Sequence, residues 1–292
     1  MFEILEKELI GPKEYKMVVR APRVAAKALP GQFLIVRADA EGERIPLTVC
    51  DDDKEAGTVT IVFQTVGAET YRMSELAVGE AFADVVGPLG NPSDLIDRPI
   101  EELQKMKIIF IAGGVGTAPV YHQLKWLHEH GVDADCIQGA RNKDLLIMID
   151  EMRAVCGNLY LATDDGSEGF HGNGSQCLAK LYEDGKRYDH CVIIGPMIMM
   201  KFTAMQCEKL GLPCVVSMNT VMVDGTGMCG ACRLLVGGEV KFACVDGPEF
   251  DGSKVDYDQA MLRGRLYKTE EGRLLLKEQE GATHEGGCGV CK

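Results

Sequence analysis

Between residues 100 and 218 five short apolar runs alternate with four helix-like stretches, and this alternation constrains the fold more than any other feature. The runs are Lys107–Ala112, Ala134–Gly139, Asn158–Thr163, His190–Ile194 and Pro213–Met218; the stretches between them are Ala118–His130, Lys143–Val155, Ser175–Asp184 and Met197–Leu210. A helix between two strands carries the chain back, so consecutive strands run parallel, and a parallel sheet must be covered on both faces. The pattern predicts a compact, doubly wound α/β domain over residues 98–218. Upstream the pattern differs: GQFLIVRAD, RIPLTVCD and GTVTIVFQTV are β-rich runs bounded by Gly, Asp and Lys, and the stretch closes with the loop GPLGNPSD. Short strands at this spacing predict an antiparallel β-barrel over residues 1–97. Residues 219–255 are rich in Gly and Cys with little periodicity, so something other than a hydrophobic core is expected to hold them. Residues 256–292 read as a charged tail ending in GGCGVCK.

The 292 residues carry 44 acidic and 31 basic side chains, a formal net charge of -13. That balance argues against non-specific nucleic-acid binding, which needs a basic face to displace counterions. No apolar run approaches the roughly 20 residues that span a bilayer. The opening MFEILEKELIGPKEYK mixes charged and apolar residues, unlike a signal or transit peptide, so no membrane and a cytoplasmic location are expected.

Cysteine is the unusual component, with 12 residues. Cys136, Cys191 and Cys214 lie in apolar runs and read as small core hydrophobes. Cys50, Cys156, Cys177 and Cys207 have no partner at ligand spacing. Cys229, Cys232 and Cys244 form a C-x2-C-x11-C set, with Asp224 five residues ahead and Gly225, Gly227 and Gly230 punctuating the loop. Thiolates in a C-x2-C turn converge on one metal centre and a distant third closes around it. Glycines let backbone N–H groups approach a buried anion such as an iron–sulfur cluster. A zinc site using Cys288 and Cys291 would leave Cys244 idle, and disulfides conflict with the expected compartment. The spacing favours a cluster.

The segment IIFIAGGVGTAPVYHQL puts Gly113, Gly114, Val115, Gly116 and Thr117 at a strand-to-helix turn, where backbone and helix dipole favour a phosphate. Pro119 replaces the third glycine of G-x-G-x-x-G. Thr163-Asp164-Asp165-Gly166-Ser167 and Gly195-Pro196-Met197-Ile198-Met199-Met200 also fall at carboxyl ends of expected strands, where open α/β sheets bind ligands. An acidic turn and a Met-rich core helix are the ordinary readings of those two loops. Three such loops in register favour a dinucleotide site.

With these motifs in place, the chain to about residue 255 resembles the ferredoxin–NAD(P)+ reductase superfamily. It is most similar to the branch holding dihydroorotate dehydrogenase electron-transfer subunits and the small subunit of NADH-dependent ferredoxin:NADP+ oxidoreductase. Gly113–Pro119 resembles its G-G-x-G-x-A-P turn, which faces the nicotinamide nucleotide; the resemblance puts Thr163, Asp164 and Asp165 near the nucleotide and Gly195, Pro196 and Met197 beside the nicotinamide. Arg44-Ile45-Pro46-Leu47-Thr48 resembles the R-x-P-(I/L)-(S/T) flavin motif, with Arg44 on the pyrophosphate and Thr48 near the isoalloxazine. Phe63-Gln64-Thr65 and Gly67-Ala68-Glu69-Thr70 resemble the strand and loop completing that site. The resemblance implies FAD in the barrel, NAD(H) in the α/β domain and a [2Fe–2S] cluster held by Asp224, Cys229, Cys232 and Cys244 in a small third domain. Asp224 replaces a cysteine of the dihydroorotate branch, as in the ferredoxin:NADP+ oxidoreductase small subunit; as a plain turn residue before Gly225 it would also be at home.

The implied activity is NAD(P)H-dependent oxidoreduction. A nicotinamide exchanges electrons in pairs, a [2Fe–2S] cluster singly, and a flavin between them converts one into the other. That step needs no general acid or base, so no catalytic residue is nominated and the six histidines read as surface or structural. The implied partner is a larger subunit with another flavin and [4Fe–4S] clusters, handling NADPH and ferredoxin, with electron bifurcation as one mode of the complex. Arg141 and Lys143, after the second strand of the α/β domain, keep NADP(H) open beside NAD(H). The alternatives are a dihydroorotate dehydrogenase electron-transfer subunit and, from another class, a zinc-stabilised regulatory module. Cys288 and Cys291 stay open between a redox pair, a partner-dependent metal site and a dispensable tail.

Overall fold

The computed structural model describes residues 2–284. The first seven strands are β1 (Phe2–Leu9), β2 (Glu14–Arg20), β3 (Phe33–Arg37), β4 (Ile45–Asp53), β5 (Thr58–Gln64), β6 (Ala81–Phe82) and β7 (Asp84–Leu89). They form one antiparallel sheet in the order β6-β1-β2-β5-β4-β3-β7. Its two edges, β6 and β7, are separated in sequence by Ala83 alone, whose N–H bonds to the carbonyl of Arg37, so the sheet rolls into a nearly closed barrel. Ile4, Met17, Leu34, Val49, Ile61 and Phe63 fill it, alternating with outward residues as a half-buried antiparallel sheet demands. Two helices, α1 (Pro22–Ala25) and α2 (Ala68–Glu75), sit in its connections.

After a short helix α3 (Ile100–Leu103), the expected alternation appears: β8 (Ile108–Gly113), α4 (Thr117–Glu129), β9 (Asp135–Ala140), α5 (Ile149–Val155), β10 (Leu159–Thr163), a short β11 (Phe170–His171), α6 (Gly174–Glu183), β12 (His190–Ile194), α7 (Met197–Leu210) and β13 (Cys214–Ser217). The order β11-β10-β9-β8-β12-β13 is parallel throughout. The chain winds outward in both directions from β8, so β8 and β12 border the switch point where ligands enter such sheets. β8 and β12 are buried along their whole length, which is why both read as unbroken apolar runs.

One expected helix, Lys143–Val155, is not continuous. Lys143–Leu145 form a single 3-10 turn capped by Asn142, and Met148 takes φ 55° before α5 begins. The break leaves the Ile147 carbonyl free to accept from Nε2 of Gln138 at 2.6 Å, giving a partner to the donor end of a side chain that is 1% exposed. A continuous helix would use that carbonyl internally.

The cysteine-rich stretch also differs from expectation, because it does share a hydrophobic core. Met222, Cys232, Leu234, Ala243 and Cys244 are buried in the same cluster as Ile111, Ile193 and Val216 of the parallel sheet. β14 (Arg233–Val236) and β15 (Glu239–Phe242) pair as a hairpin around Gly237-Gly238, both at positive φ, the conformation of a two-residue type I′ turn. β16 (Glu249–Asp251) then adds antiparallel to β13 and joins this unit to the sheet. The stretch from 256 is helical rather than a bare tail: α8 (Tyr257–Arg263) buries Tyr257 and Ala260 against that core, and α9 (Lys268–His284) follows. Cys288 and Cys291 lie outside the described residues. Among the described residues no helix is long and apolar enough to cross a membrane.

Candidate functional site

A cavity of about 870 Å³ opens between the barrel and the carboxyl edge of the parallel sheet. Pro46, Leu47, Thr48 and Gln64 line it from β4 and β5, and Gly113, Gly114, Val115 and Gly116 from the turn after β8. Asp164 reaches it from the acidic loop, and Gly195, Pro196, Ile198 and Met199 from the segment after β12. Sequence reading missed Phe33, the Gly139–Ala140 strand end, Asn173, Ser217 and Pro248, all of which also line it. Asn173 carried a findable signal, since it caps α6 with its side chain and Gln176 returns the bond.

The glycine turn owes its composition to packing as much as to backbone angle. Only Gly114 of the three has positive φ, at 54°. A Cβ on Gly116 would lie 2.3 Å from the Ile194 carbonyl oxygen, and one on Gly113 2.3 Å from Met199 Sδ. Without side chains the turn lies flat against the end of β12, leaving the α4 N-terminus facing the cavity. Thr117 opens α4 fully buried and does not line the cavity; its hydroxyl has no hydrogen-bond partner.

Several expected residues lie elsewhere. Phe63 is in the barrel core, stacked on Tyr15 at 5.8 Å. Glu69 is buried and accepts from the Ala38 N–H at 2.9 Å, while Thr70 caps α2 through the Gly67 N–H at 3.0 Å. Thr65, Gly67 and Met197 do not line the cavity either. Thr163 bonds to the carbonyl of Glu168 at 2.8 Å, and the exposed Asp165 caps its own loop through Ser167 at 2.9 Å. Arg44 donates through Nε to the Val223 carbonyl at 2.7 Å, tying β4 to the start of the cysteine loop. Arg141 lines the cavity and Lys143 does not.

In the cysteine loop Asp224 accepts from the N–H groups of Thr226 at 2.8 Å and Cys229 at 2.7 Å. Those two donors, Thr226 first, hold its carboxyl below the usual range. Cys232 and Cys244 place their sulfurs 3.2 Å apart in the buried wall. Burial, then the Cys232 thiol, push Cys244 up to about 12, while the Gly227 N–H points at it and works the other way. Gly225, Gly227 and Gly230 all have positive φ, and a Cβ on Gly225 would strike Ile35 and Leu89 of the barrel at 2.7 Å. Among the described residues no three His, Cys, Asp or Glu side chains converge where one metal ion could sit. What the loop presents is two pairs, Asp224 beside Cys229 and Cys232 beside Cys244. Two protein ligands at each iron is the donor arrangement of a two-iron cluster, so this set fits one.

The other thiols are less isolated than their sequence positions suggest. Cys191, Cys207 and Cys214 interact with one another inside the α/β core, and Cys136 with Cys156; contact with Cys191 and burial raise the Cys207 thiol. Of the histidines, His122 is buried with Nε2 3.0 Å from Asp52, bridging α4 and the barrel as a structural residue.

Residues 219–256 match the family described as the iron-sulfur cluster binding domain of dihydroorotate dehydrogenase B. The chain is 58% identical over 291 residues to the Clostridium beijerinckii "Uncharacterized protein in adh 3'region", covering 99% of this chain and 98% of that one. It is 42% identical over 269 residues to a Thermotoga maritima "Dihydroorotate dehydrogenase B (NAD(+)), electron transfer subunit homolog", covering 92% of each. Among solved structures, a chain of the NADH-dependent reduced ferredoxin-NADP oxidoreductase, solved in work on flavin-based electron bifurcation, superimposes with a TM-score of 0.88 at 40% identity, covering 96% of this chain and 98% of that one.

Proposed function

We propose, from the premise that the chain belongs to the family of dihydroorotate dehydrogenase B electron transfer subunits, that it carries electrons between NAD(H) and a larger catalytic partner through FAD and a [2Fe–2S] cluster. The observation that carries this reading is the meeting of three motifs at one place: β4, the Gly113–Gly116 turn and the segment joining the cysteine loop to β16 all border a single cavity. When bound, the flavin would exchange electrons in pairs with the nicotinamide and singly with the cluster.

The chain's own residues supply position and seclusion. Pro46, Leu47 and Thr48 present strand backbone and a hydroxyl to the barrel side of the cavity, where an isoalloxazine would lie. The Gly113–Gly116 turn and the α4 N-terminus offer N–H groups to a pyrophosphate. Gly195 and Pro196 leave space beside the flavin for a flat nicotinamide ring. Asp224, Cys229, Cys232 and Cys244 would hold the cluster, with the loop N–H groups directed inward to offset its negative charge. The unit around them is anchored to the barrel by Arg44 and to the sheet by β16, which fixes the separation between the two redox sites.

Within the family, the reading we favour is the small subunit of an NADH-dependent ferredoxin:NADP+ oxidoreductase, supported by the likeness to that structure and by Asp224 standing where dihydroorotate enzymes use cysteine. The test is a visible spectrum of the purified protein with its co-purifying partner. Flavin peaks and a broad band bleached by dithionite are expected, together with reduction of NADP+ that requires both NADH and reduced ferredoxin as electron donors. A colourless, zinc-containing protein without labile sulfide would sink the cofactor assignment; dihydroorotate-driven reduction would reassign the partner alone.

A further inference from the structure

Three polar side chains from three parts of the chain meet in one buried place that neither the nucleotide loops nor the cysteine loop explains. Gln123 on α4, 2% exposed, donates through Nε2 to Glu249 Oε1 on β16 at 2.6 Å. Ser93, fully buried after the barrel's last strand, stands against the same carboxyl group. Three oxygens here are buried without a hydrogen-bond partner: Glu249 Oε2, Gln123 Oε1 and Ser93 Oγ. An ionised carboxylate cannot donate, so the single Ser93 hydroxyl proton is left to serve two acceptors. A carboxylic acid adds the missing donor and completes the group.

What this cluster holds in place makes it matter. Pro248, the neighbour of Glu249, lines the cavity, and only Val245, Asp246 and Gly247 separate it from Cys244. The same segment is bonded to the barrel's exit loop, with the Asn91 N–H on the Gly247 carbonyl at 2.7 Å and its side-chain amide on the Val245 carbonyl at 3.1 Å. It is bonded to the sheet through the Met218 N–H on the Pro248 carbonyl at 2.9 Å. The segment is therefore one of two short covalent connections between the cysteine loop and the cavity wall, the other being Met222–Asp224 on the loop's opposite side.

We infer that Glu249 is a positioning residue that, as a neutral acid shared with Gln123 and Ser93, clamps the Val245–Pro248 segment to both larger domains, and that losing its proton to solvent loosens the clamp. Burial is the main cause that pushes this carboxyl up from its ordinary 4.5 to about 7, against the bond from Gln123 and the neighbouring Ser93 hydroxyl, and Asp94 adds a smaller push in the same direction. The other charged groups nearby are already committed. Asp94 pairs with Arg98 at 2.8 Å, His122 and Lys125 on α4 face Asp52 and Asp51 of the barrel, and Asp251 on β16 pairs with Lys254 at 3.0 Å. The buried His190, beside Asp94 and Arg98, is held toward its neutral form by burial.

The test compares full-length wild type, Glu249→Gln and Glu249→Ala by thermal unfolding across the range from about pH 4.5 to about pH 8. The folded protein keeps a proton that the unfolded chain releases above 4.5. Wild type should therefore lose stability relative to Glu249→Gln as pH rises from 4.5 to about 7, then run parallel to it. Glu249→Ala, without the bond to Gln123, should be the least stable at low pH. In the cofactor-loaded protein, NADH-driven bleaching of the cluster band should slow severalfold through the same window in wild type and hold level in Glu249→Gln. Unfolding curves of wild type and Glu249→Gln that stay parallel throughout would overturn the inference. If Glu249→Gln does not fold, infrared spectra of wild type decide it: a carboxylic-acid carbonyl band persisting near pH 6, where exposed carboxyls are ionised, supports the clamp, and its absence refutes it. The bleaching arm rests on the cofactor reading. The unfolding and infrared arms do not, so the two can fail separately.

Discussion

The guanidinium of Arg44 is fastened to the Val223 carbonyl at 2.7 Å, one residue before Asp224. The arginine expected at a flavin pyrophosphate is thus also the bolt between the barrel and the cysteine loop. Arg44→Ala should cost about 1–2 kcal/mol, the low end of what a bond to a charged donor contributes because water still reaches this one. It should also broaden the magnetic-resonance signal of the cluster while lowering the flavin-to-protein ratio. If flavin falls and the cluster signal stays unchanged, the bolt has no role in holding the loop.

Gly116 faces backbone that cannot yield, because the Ile194 carbonyl would sit 2.3 Å from an added Cβ. Gly116→Ala should destabilise by roughly 2–3 kcal/mol through overpacking and reduce nicotinamide binding. Urea unfolding and NADH titration measure the two effects. Gly185→Ala, where an added Cβ meets nothing within 4 Å but φ is 88°, serves as the control for backbone strain alone.

Asp224 has a role in the loop turn whether or not it binds iron, since Thr226 and Cys229 both donate to it. Replacing it with cysteine separates the two roles. Asp224→Cys should retain a cluster at a lower potential, because thiolate is a stronger donor than carboxylate. Identical potentials and magnetic-resonance spectra for the two proteins would remove Asp224 from the ligand set.

His190 is buried with Nε2 lacking any hydrogen-bond partner, and burial lowers its pKa from the ordinary 6.5. Its charging opposes the folded state, so the unfolded chain binds the proton first. Stability should be full above 6.5 and decline as pH falls below it toward the folded-state pKa, a slope that His190→Gln should flatten. The sign is opposite to that of Glu249 and the two windows overlap below 6.5, so the slope is read as the difference between Glu249→Gln and the double variant Glu249→Gln/His190→Gln. A Glu249→Gln profile that runs parallel to the double variant below 6.5 would remove His190 from the account.

Legibility in the sequence followed how local each signal is. β12 at His190–Ile194 and α7 at Met197–Leu210 were readable to the residue, since a buried parallel strand is an unbroken apolar run and a helix carries its own period. β1 and β2 present no such run: they mix charges with apolar residues because only one face of a barrel wall is buried. The Gly237-Gly238 hairpin does carry a local signal, two glycines at a two-residue turn. By contrast, the break at Met148 answers to Gln138, nine residues from the carbonyl it captures, and no local pattern announces that bond.

By itself, then, the sequence determined the order of barrel, α/β domain and cysteine loop, the glycine turn after β8, and the spacing of the candidate ligands, all properties of neighbouring residues. Tertiary structure alone decided which of those residues reach the cavity. It sent Phe63 into the barrel core, turned Glu69 to the Ala38 N–H after β3 and Thr70 to its own loop, and brought Ser217 and Pro248 to the cavity wall. It also gathered Ser93, Gln123 and Glu249 from positions more than 150 residues apart at their extremes. The reason is that burial and the need to satisfy buried polar groups are settled by what packs on the opposite side, which a linear chain does not record.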